Sequence, residues 1–267
     1  MVSGAPDYSL AGRHALVCGA SQGIGKATAI ALAAQGADVT LLARSRDALR
    51  QLAQALPRIG EQQTHAWIDA DVGDLTTLRD KVQATVNARA ATILVHNSGG
   101  PPGGAAHSAT IENFEAAFRQ HLLAGQVLVQ CLLPGMRRAH EGRIINVIST
   151  SVKEPIRGLG VSNTVRAAVA SWAKTLAGEL GEFGITVNNV LPGFTDTARL
   201  EQIIAARAAA SGETQAQVAQ ALRATVPAGR FAGAHEIAAA IAFLASPAAA
   251  YINGINLPVD GGRTGSL

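Results

Sequence analysis

Cys18-Gly19-Ala20-Ser21-Gln22-Gly23-Ile24-Gly25 is the segment of this chain best equipped for chemistry. Glycines at this spacing let a backbone come close to a pyrophosphate, and a helix opening directly after them offers unpaired N–H groups and the positive end of its dipole. A glycine-rich turn can also be no more than a tight corner. Here it lies between an apolar run, His14 to Cys18, and a segment carrying Ile24, Ala27, Ala31 and Ala34 at helical spacing. That context of strand, turn and helix points to a bound dinucleotide.

Further segments fall where such a ligand needs partners. Arg44 follows the second apolar run, where an acidic residue would select the free ribose hydroxyls of NAD(H); an arginine favours the extra phosphate, so NADP(H) is expected over NAD(H). Arg44 is equally readable as a solvated arginine at a helix start. Asp71 and Val72, after the third run, are placed to bracket an adenine. His96-Asn97-Ser98-Gly99-Gly100 and Pro192-Gly193-Phe194-Thr195-Asp196-Thr197 follow the fourth and sixth runs, at the sheet edge where ribose and nicotinamide would rest.

The elements that must position these groups are legible as an alternation. Apolar, β-branched runs at His14 to Cys18, Val39 to Ala43, His65 to Ile68, Ile93 to His96, Ile144 to Ile148, Thr186 to Leu191 and Ile255 to Val259 alternate with helical patterns such as Val165, Val169, Trp172 and Leu176. Repeated strand–helix–strand units of this kind build an α/β fold: a single-domain, Rossmann-type, doubly wound parallel sheet of about seven strands with helices on both faces. No linker, charge block or internal repeat divides residues 1–267. The segment from Asp196 to Thr225 stands apart, rich in Ala and Gln and carrying Arg199, Arg207 and Arg223; it is expected to be either a helical substrate lid (196–225) or a plain surface hairpin.

Composition narrows the function classes. With 48% hydrophobic and 15% charged residues, 28 Gly and 10 Pro, the chain is neither disordered nor collagenous. A net charge of +3 without a basic run gives no support to nucleic-acid binding. Cys18 and Cys131 sit in apolar surroundings without ligand spacing, so neither a disulfide framework nor a metal site is indicated, and a reducing compartment fits. Met1 to Tyr8 lacks the pattern of a leader and no apolar stretch reaches membrane-spanning length, so a cytoplasmic protein without membrane attachment is expected.

From Gly12 to Gly262, ending in Asn253-Gly254 and Val259-Asp260-Gly261-Gly262, the chain resembles a short-chain dehydrogenase/reductase. The resemblance implies that Gly19, Ser21, Gln22, Gly23, Ile24, Gly25, Arg44, Asp71, Val72, Asn97, Gly99, Pro192, Gly193 and Thr197 hold the cofactor. Cys18 stands in place of the family's usual Thr, and His96 and Ser98 in place of Asn and Ala in its Asn-Asn-Ala-Gly turn.

The family's chemistry uses a Tyr hydroxyl, a Lys four residues later, a Ser and an Asn. Aligning Gly142-Arg143-Ile144-Ile145 with the family's fifth strand puts Ser149 at the serine, Ser162 at the tyrosine, Arg166 at the lysine and His121 at the asparagine. Misalignment does not restore the tyrosine, because only Tyr8 and Tyr251 exist. A serine is a far weaker acid than a phenol of pKa about 10, and Arg166 holds ribose hydroxyls or phosphate without relaying a proton. The candidate proton carriers are His121 and, less suited, Lys153. The chain is similar to a divergent, ketoacyl-reductase-like branch, in which the rigid Pro101-Pro102-Gly103-Gly104 loop would wall the substrate.

Three readings follow. The first is an oxidoreductase that interconverts a carbonyl and an alcohol of a small-molecule substrate at an atypical site. A catalytically impaired nucleotide-binding protein is the second, and a lyase or isomerase on the same scaffold is the third; halohydrin dehalogenases, which resemble this family, use Ser, Tyr and Arg, but lack the glycine turn kept here. Homodimers or homotetramers are implied by the resemblance, with the helix from Ala167 to Leu180 as an interface.

Overall fold

The computed structural model describes residues 5–266. Its strands are β1 (His14–Cys18), β2 (Asp38–Ala43), β3 (His65–Asp69), β4 (Ile93–His96), β5 (Gly142–Val147), β6 (Ile185–Pro192), the two-residue pair β7 (Thr195–Asp196) and β8 (Ala232–Gly233), and β9 (Asn256–Val259). Between them run α1 (Gly23–Ala34), α2 (Arg46–Ala55), α3 (Leu75–Ala88), α4 (Ile111–Phe118), α5 (Ala124–Ala139), α6 (Gly160–Leu180), α7 (Ala198–Ser211), α8 (Gln215–Ala224) and α9 (Ala234–Ala245).

β1, β4 and β5 are buried at every residue, the condition of strands covered by helices on both faces. Seven parallel strands form one sheet in the order β3-β2-β1-β4-β5-β6-β9. Side chains alternate across it: Leu16 joins the core packed on α3, α5 and α6, while its neighbour Val17 joins the opposite core with Ile237 and Ile241 of α9. The order reverses between β1 and β4, and loops at the carboxyl ends diverge there to leave a crevice.

The far side of the sheet is fixed by polar pairing. Asn146, Asn189 and Asn256 stand opposite one another on β5, β6 and β9, and their amides bond in sequence at 2.9 and 2.8 Å. A one-residue slip would leave these buried amides without partners, so the row specifies register.

The expected sheet is present, its strands beginning or ending within two residues of their sequence assignments. β5 starts at Gly142 because Gly142 and Arg143 pair with Ile185 and Thr186. The arginine-bearing segment after β6 is helical, forming α7 and α8 around Leu200, Ile204, Val218 and Leu222, with Phe194 and Phe231 against them. The β7–β8 pair was not legible, being two residues a side. Among the described residues no helix is long and apolar enough to cross a membrane. The expectations for the ends of the chain, at Met1 to Gly4 and Leu267, lie outside the described residues.

Candidate functional site

A cavity of about 960 Å³ opens at the carboxyl ends of the strands, over the reversal between β1 and β4. Its floor at one end is the glycine turn. Gly19 and Gly23 have φ of +62° and +56°, where a side chain would be strained. A Cβ on Gly19 would press on Asn97, whose Nδ2 donates to the carbonyls of Cys18 and Gly19 at 3.4 and 3.5 Å and bridges the β1 and β4 ends. α1 begins with no side-chain cap and no acidic residue in its first turn, so its free N–H groups and positive dipole end face the cavity uncompensated. Those are the requirements of a pyrophosphate cradle.

Of the residues expected to hold a cofactor, Gly19, Ser21, Gln22, Gly23, Ile24, Arg44, Asp71, Val72, Asn97, Gly99, Pro192, Gly193 and Thr197 line this one cavity. Gly25 does not: it is buried in α1, where a Cβ would collide with the Gly19 carbonyl. Its smallness serves close packing of helix on turn. Arg44 is 82% exposed and sits 3.9 Å from a carboxylate oxygen of Asp71. With no acid at the β2 end closer than this loose pair, the residues present fit a dinucleotide carrying extra negative charge near its adenosine ribose.

The opposite end of the cavity is built from side chains. Ser149, Ser162, Arg166, Leu159 and Arg199 line it with Ser98, Gly100 and Phe194. Ser149, two residues past β5, caps the turn that follows and accepts the N–H of Ser151 at 3.1 Å, which leaves its own hydroxyl proton to donate elsewhere. Ser162 lies in the first turn of α6, whose start is stitched to the proline–glycine loop: Gly104 donates to the Gly158 carbonyl at 2.7 Å and Gly160 to the Gly104 carbonyl at 2.9 Å. The Arg199 guanidinium donates to the Pro101 carbonyl at 2.8 Å, tying α7 to the same loop.

Arg166 is only 7% exposed, yet no carboxylate among the described residues pairs with it. Nη1 donates to the Val147 carbonyl at 2.8 Å and Nε is buried without a partner. Burial, with the Arg199 charge adding to it, lowers its pKa to about 10. A buried guanidinium without an acidic partner attracts negative charge forming or bound in the cavity.

His121, the other residue expected to do chemistry, lies apart from this wall. It lies in a π-helical turn, Arg119–Leu123, between α4 and α5, is 1% exposed and does not line the cavity. Its Nδ1 meets the hydroxyl of Ser98 at 2.6 Å, so Ser98 stands between ring and cavity. Burial, then the charges of Arg166 and His96, drives its pKa down to about 2. Burial therefore favours the neutral ring, and Ser98 is the group through which it meets the cavity. Lys153, in the turn after Ser149, is not on the wall either. Both tyrosines are at the surface, Tyr8 at 48% and Tyr251 fully exposed. Ser98 lines the wall within the turn singled out in the sequence, and Gln120, whose Nε2 donates to the Gly99 carbonyl at 3.2 Å, is a wall residue that sequence reasoning missed. The π turn that directs Gln120 and His121 has no signature in residue types.

The fold and the cavity together define a dinucleotide-binding α/β enzyme. A family model described as enoyl-(acyl carrier protein) reductase matches residues 19–264, and the chain belongs to the short-chain dehydrogenase/reductase family. It is 35% identical to a 3-oxoacyl-(acyl-carrier-protein) reductase of Vibrio cholerae over 95% of this chain and 98% of that one. Identity to a cyclohexanol dehydrogenase of a Rhodococcus species is 34%, over 96% and 97%. Among solved structures, L-sorbose reductase from Gluconobacter frateurii, complexed with NADPH and L-sorbose, superposes with a TM-score of 0.90 at 30% identity, covering 98% of this chain and all of that one. The protein is an oxidoreductase of this family.

Proposed function

We propose that this protein is an NADP(H)-preferring oxidoreductase that interconverts a carbonyl and an alcohol of a small molecule through Ser149, Ser162 and Arg166, with Ser162 and Arg166 at the positions of the family's tyrosine and lysine. The observation that carries the reading is the buried, acid-free guanidinium of Arg166 on the same wall as two serine hydroxyls. When bound, the reduced nicotinamide supplies hydride to the carbonyl carbon. Ser149 and Ser162 donate hydrogen bonds to the carbonyl oxygen, and Arg166 stabilises the negative charge that grows on it. The proton then comes from solvent water through the Ser162 hydroxyl.

His121 in this scheme is a positioning residue. If its neutral ring donates Nδ1–H to Ser98, the Ser98 proton is left for the cavity. The cofactor preference rests on Arg44 and on the NADPH-bound sorbose reductase. α7 and α8 serve as the lid, with Arg199 as the latch to Pro101. Buried free thiols at Cys18 and Cys131 fit work in a reducing cytoplasm, and exposed Ala167, Ser171, Thr175 and Gly178 on α6 offer a small-residue face for a homodimer or homotetramer.

The second reading, a nucleotide-binding protein without turnover, draws on one observation: neither tyrosine reaches the cavity. Fluorescence titration with NADPH and NADH, followed by a carbonyl panel monitored for cofactor oxidation, separates the two. Expected are tighter binding of NADPH, loss of that preference in Arg44→Ala, and turnover that falls in Ser149→Ala and Ser162→Ala. Tight binding without turnover across the panel moves the second reading to first place.

A further inference from the structure

A second cavity, of about 240 Å³, lies beyond the substrate end of the first and is lined by Thr150, Glu154, Arg157, Arg207, Arg263 and Thr264 among others. Three guanidiniums face one carboxylate, and that carboxylate is engaged, Glu154 Oε1 accepting the Gly265 N–H at 2.9 Å. The balance is two positive charges. Neither Arg157 nor Arg207 is ion-paired among the described residues. Arg263 stacks its guanidinium 4.5 Å from the centre of the Phe194 ring, with Nε buried and unpartnered. Stacking holds the guanidinium plane in place and leaves its edge to a ligand.

Three residue neighbourhoods join this cavity to the larger one. Ser149 lines the first and Thr150 the second; Phe194 lines the first and Arg263 on its ring lines the second. On α7, Arg199 and Ile203 line the first and Arg207 the second, at four-residue steps along one helix face. The two cavities therefore adjoin at the end of β5, at Phe194 and along one face of α7.

We propose that the second cavity binds a doubly charged oxyanion, a phosphoryl group borne on the carbonyl substrate away from its reacting carbon. The inference rests on the reductase reading for the substrate but not for the site. A phosphoryl group carries about −1.5 to −2 charges at neutral pH and three acceptor oxygens, which matches the charge excess and the guanidinium edges.

Two arms test it. In the first, inorganic phosphate is titrated calorimetrically into the NADPH-saturated protein, so that the dinucleotide site is filled. Arg207→Gln and Arg157→Gln, whose side chains are exposed and whose melting temperatures serve as the folding control, each weaken binding about tenfold or more; equal binding to variants and wild type overturns the site. In the second arm, kcat/KM is compared for fructose against fructose 6-phosphate and for erythrulose against erythrulose 4-phosphate. A phosphorylated advantage of tenfold or more that disappears in Arg207→Gln supports the substrate source. An advantage indifferent to the substitution, or none beside positive calorimetry, overturns it in favour of a free anion. No NADPH oxidation with any ketone here or in the carbonyl panel refutes the reductase reading and the substrate assignment with it, while calorimetry still decides the site.

Discussion

At the dinucleotide end of the cavity the wall is largely backbone: Gly19, Gly23 and the uncapped start of α1 present N–H groups, and Gly25 behind them lets helix and turn meet. At the other end the wall is side chain, with Ser149, Ser162, Arg166 and Arg199 projecting from three different segments, the turn after β5, α6 and α7. Backbone cradles are specified by what must be absent, a Cβ, and tolerate little change. Side-chain walls are specified by chemical groups and can be rewritten while the fold persists. The first end is therefore expected to fail by loss of structure and the second by loss of activity.

The largest effect belongs to the backbone end. Gly25→Ala puts a methyl into the Gly19 carbonyl, and backbone cannot rotate away as a side chain would. Overpacking costs about 1–3 kcal/mol where side chains can adjust, so this substitution is expected at or above the upper figure. It would lower the melting temperature and weaken NADPH binding together. An unchanged melting temperature with normal binding would show that the turn is softer than the contact implies.

Arg166→Met sharpens the contrast because its two readouts have opposite signs. Removing the guanidinium costs catalysis about 10²–10³-fold in kcat if it stabilises developing charge as an oxyanion donor does. Thermal stability, by contrast, is expected to hold or rise, since an apolar side chain replaces a buried charge that has no acidic partner. Parallel loss of both would make Arg166 a structural residue holding the Val147 carbonyl.

The same contrast explains what the sequence disclosed. The glycine turn, Arg44, Asn97 and the Pro192-Gly193 corner were readable because each follows a strand end, and local rules of strand, turn and helix carry them to one edge. Ser149, Ser162 and Arg166 were found by spacing along a family pattern, and they do share a wall. Their electrostatics were not readable, because burial of Arg166 without an acid depends on which segments fold over it. His121 was named from its place at the family's asparagine and from its intrinsic pKa, and neither shows where the ring lies. Its side chain is turned from the cavity by a π-helical register and shielded by Ser98, and neither fact is local to residue type.

A smaller effect comes from acid. His96 and His121 titrate at 6.5 when free, but in the folded protein burial foremost, with Arg166 adding to it, lowers them to about 4 and about 2. Below pH 6.5 the unfolded chain thus binds more protons than the folded one, and stability falls as pH drops. Each ring adds a slope of up to about 1.4 kcal/mol per pH unit down to its folded pKa. Denaturant midpoints between pH 7 and 4 should fall less steeply in His121→Asn, while the activity profile near neutrality should show no ionisation that this substitution removes. A neutral-pH ionisation that disappears in His121→Asn would restore the histidine as a proton carrier.

The smallest expected effect returns to the dinucleotide end, where Asp71 and Arg44 form a pair that is open in geometry and mostly in water. At 3.9 Å, with side chains 53% and 82% exposed, it resembles the surface pairs that contribute about 0–1 kcal/mol. Asp71→Asn should therefore leave the melting temperature almost unchanged. Its effect on binding is sharper: releasing Arg44 from a competing carboxylate, and removing a negative charge near the extra phosphate, should tighten NADPH more than NADH. Salt decides the cause, because an electrostatic gain shrinks as ionic strength rises and a packing gain does not. Equal tightening of both cofactors would place Asp71 beside the adenine common to them and take Arg44 out of the phosphate site.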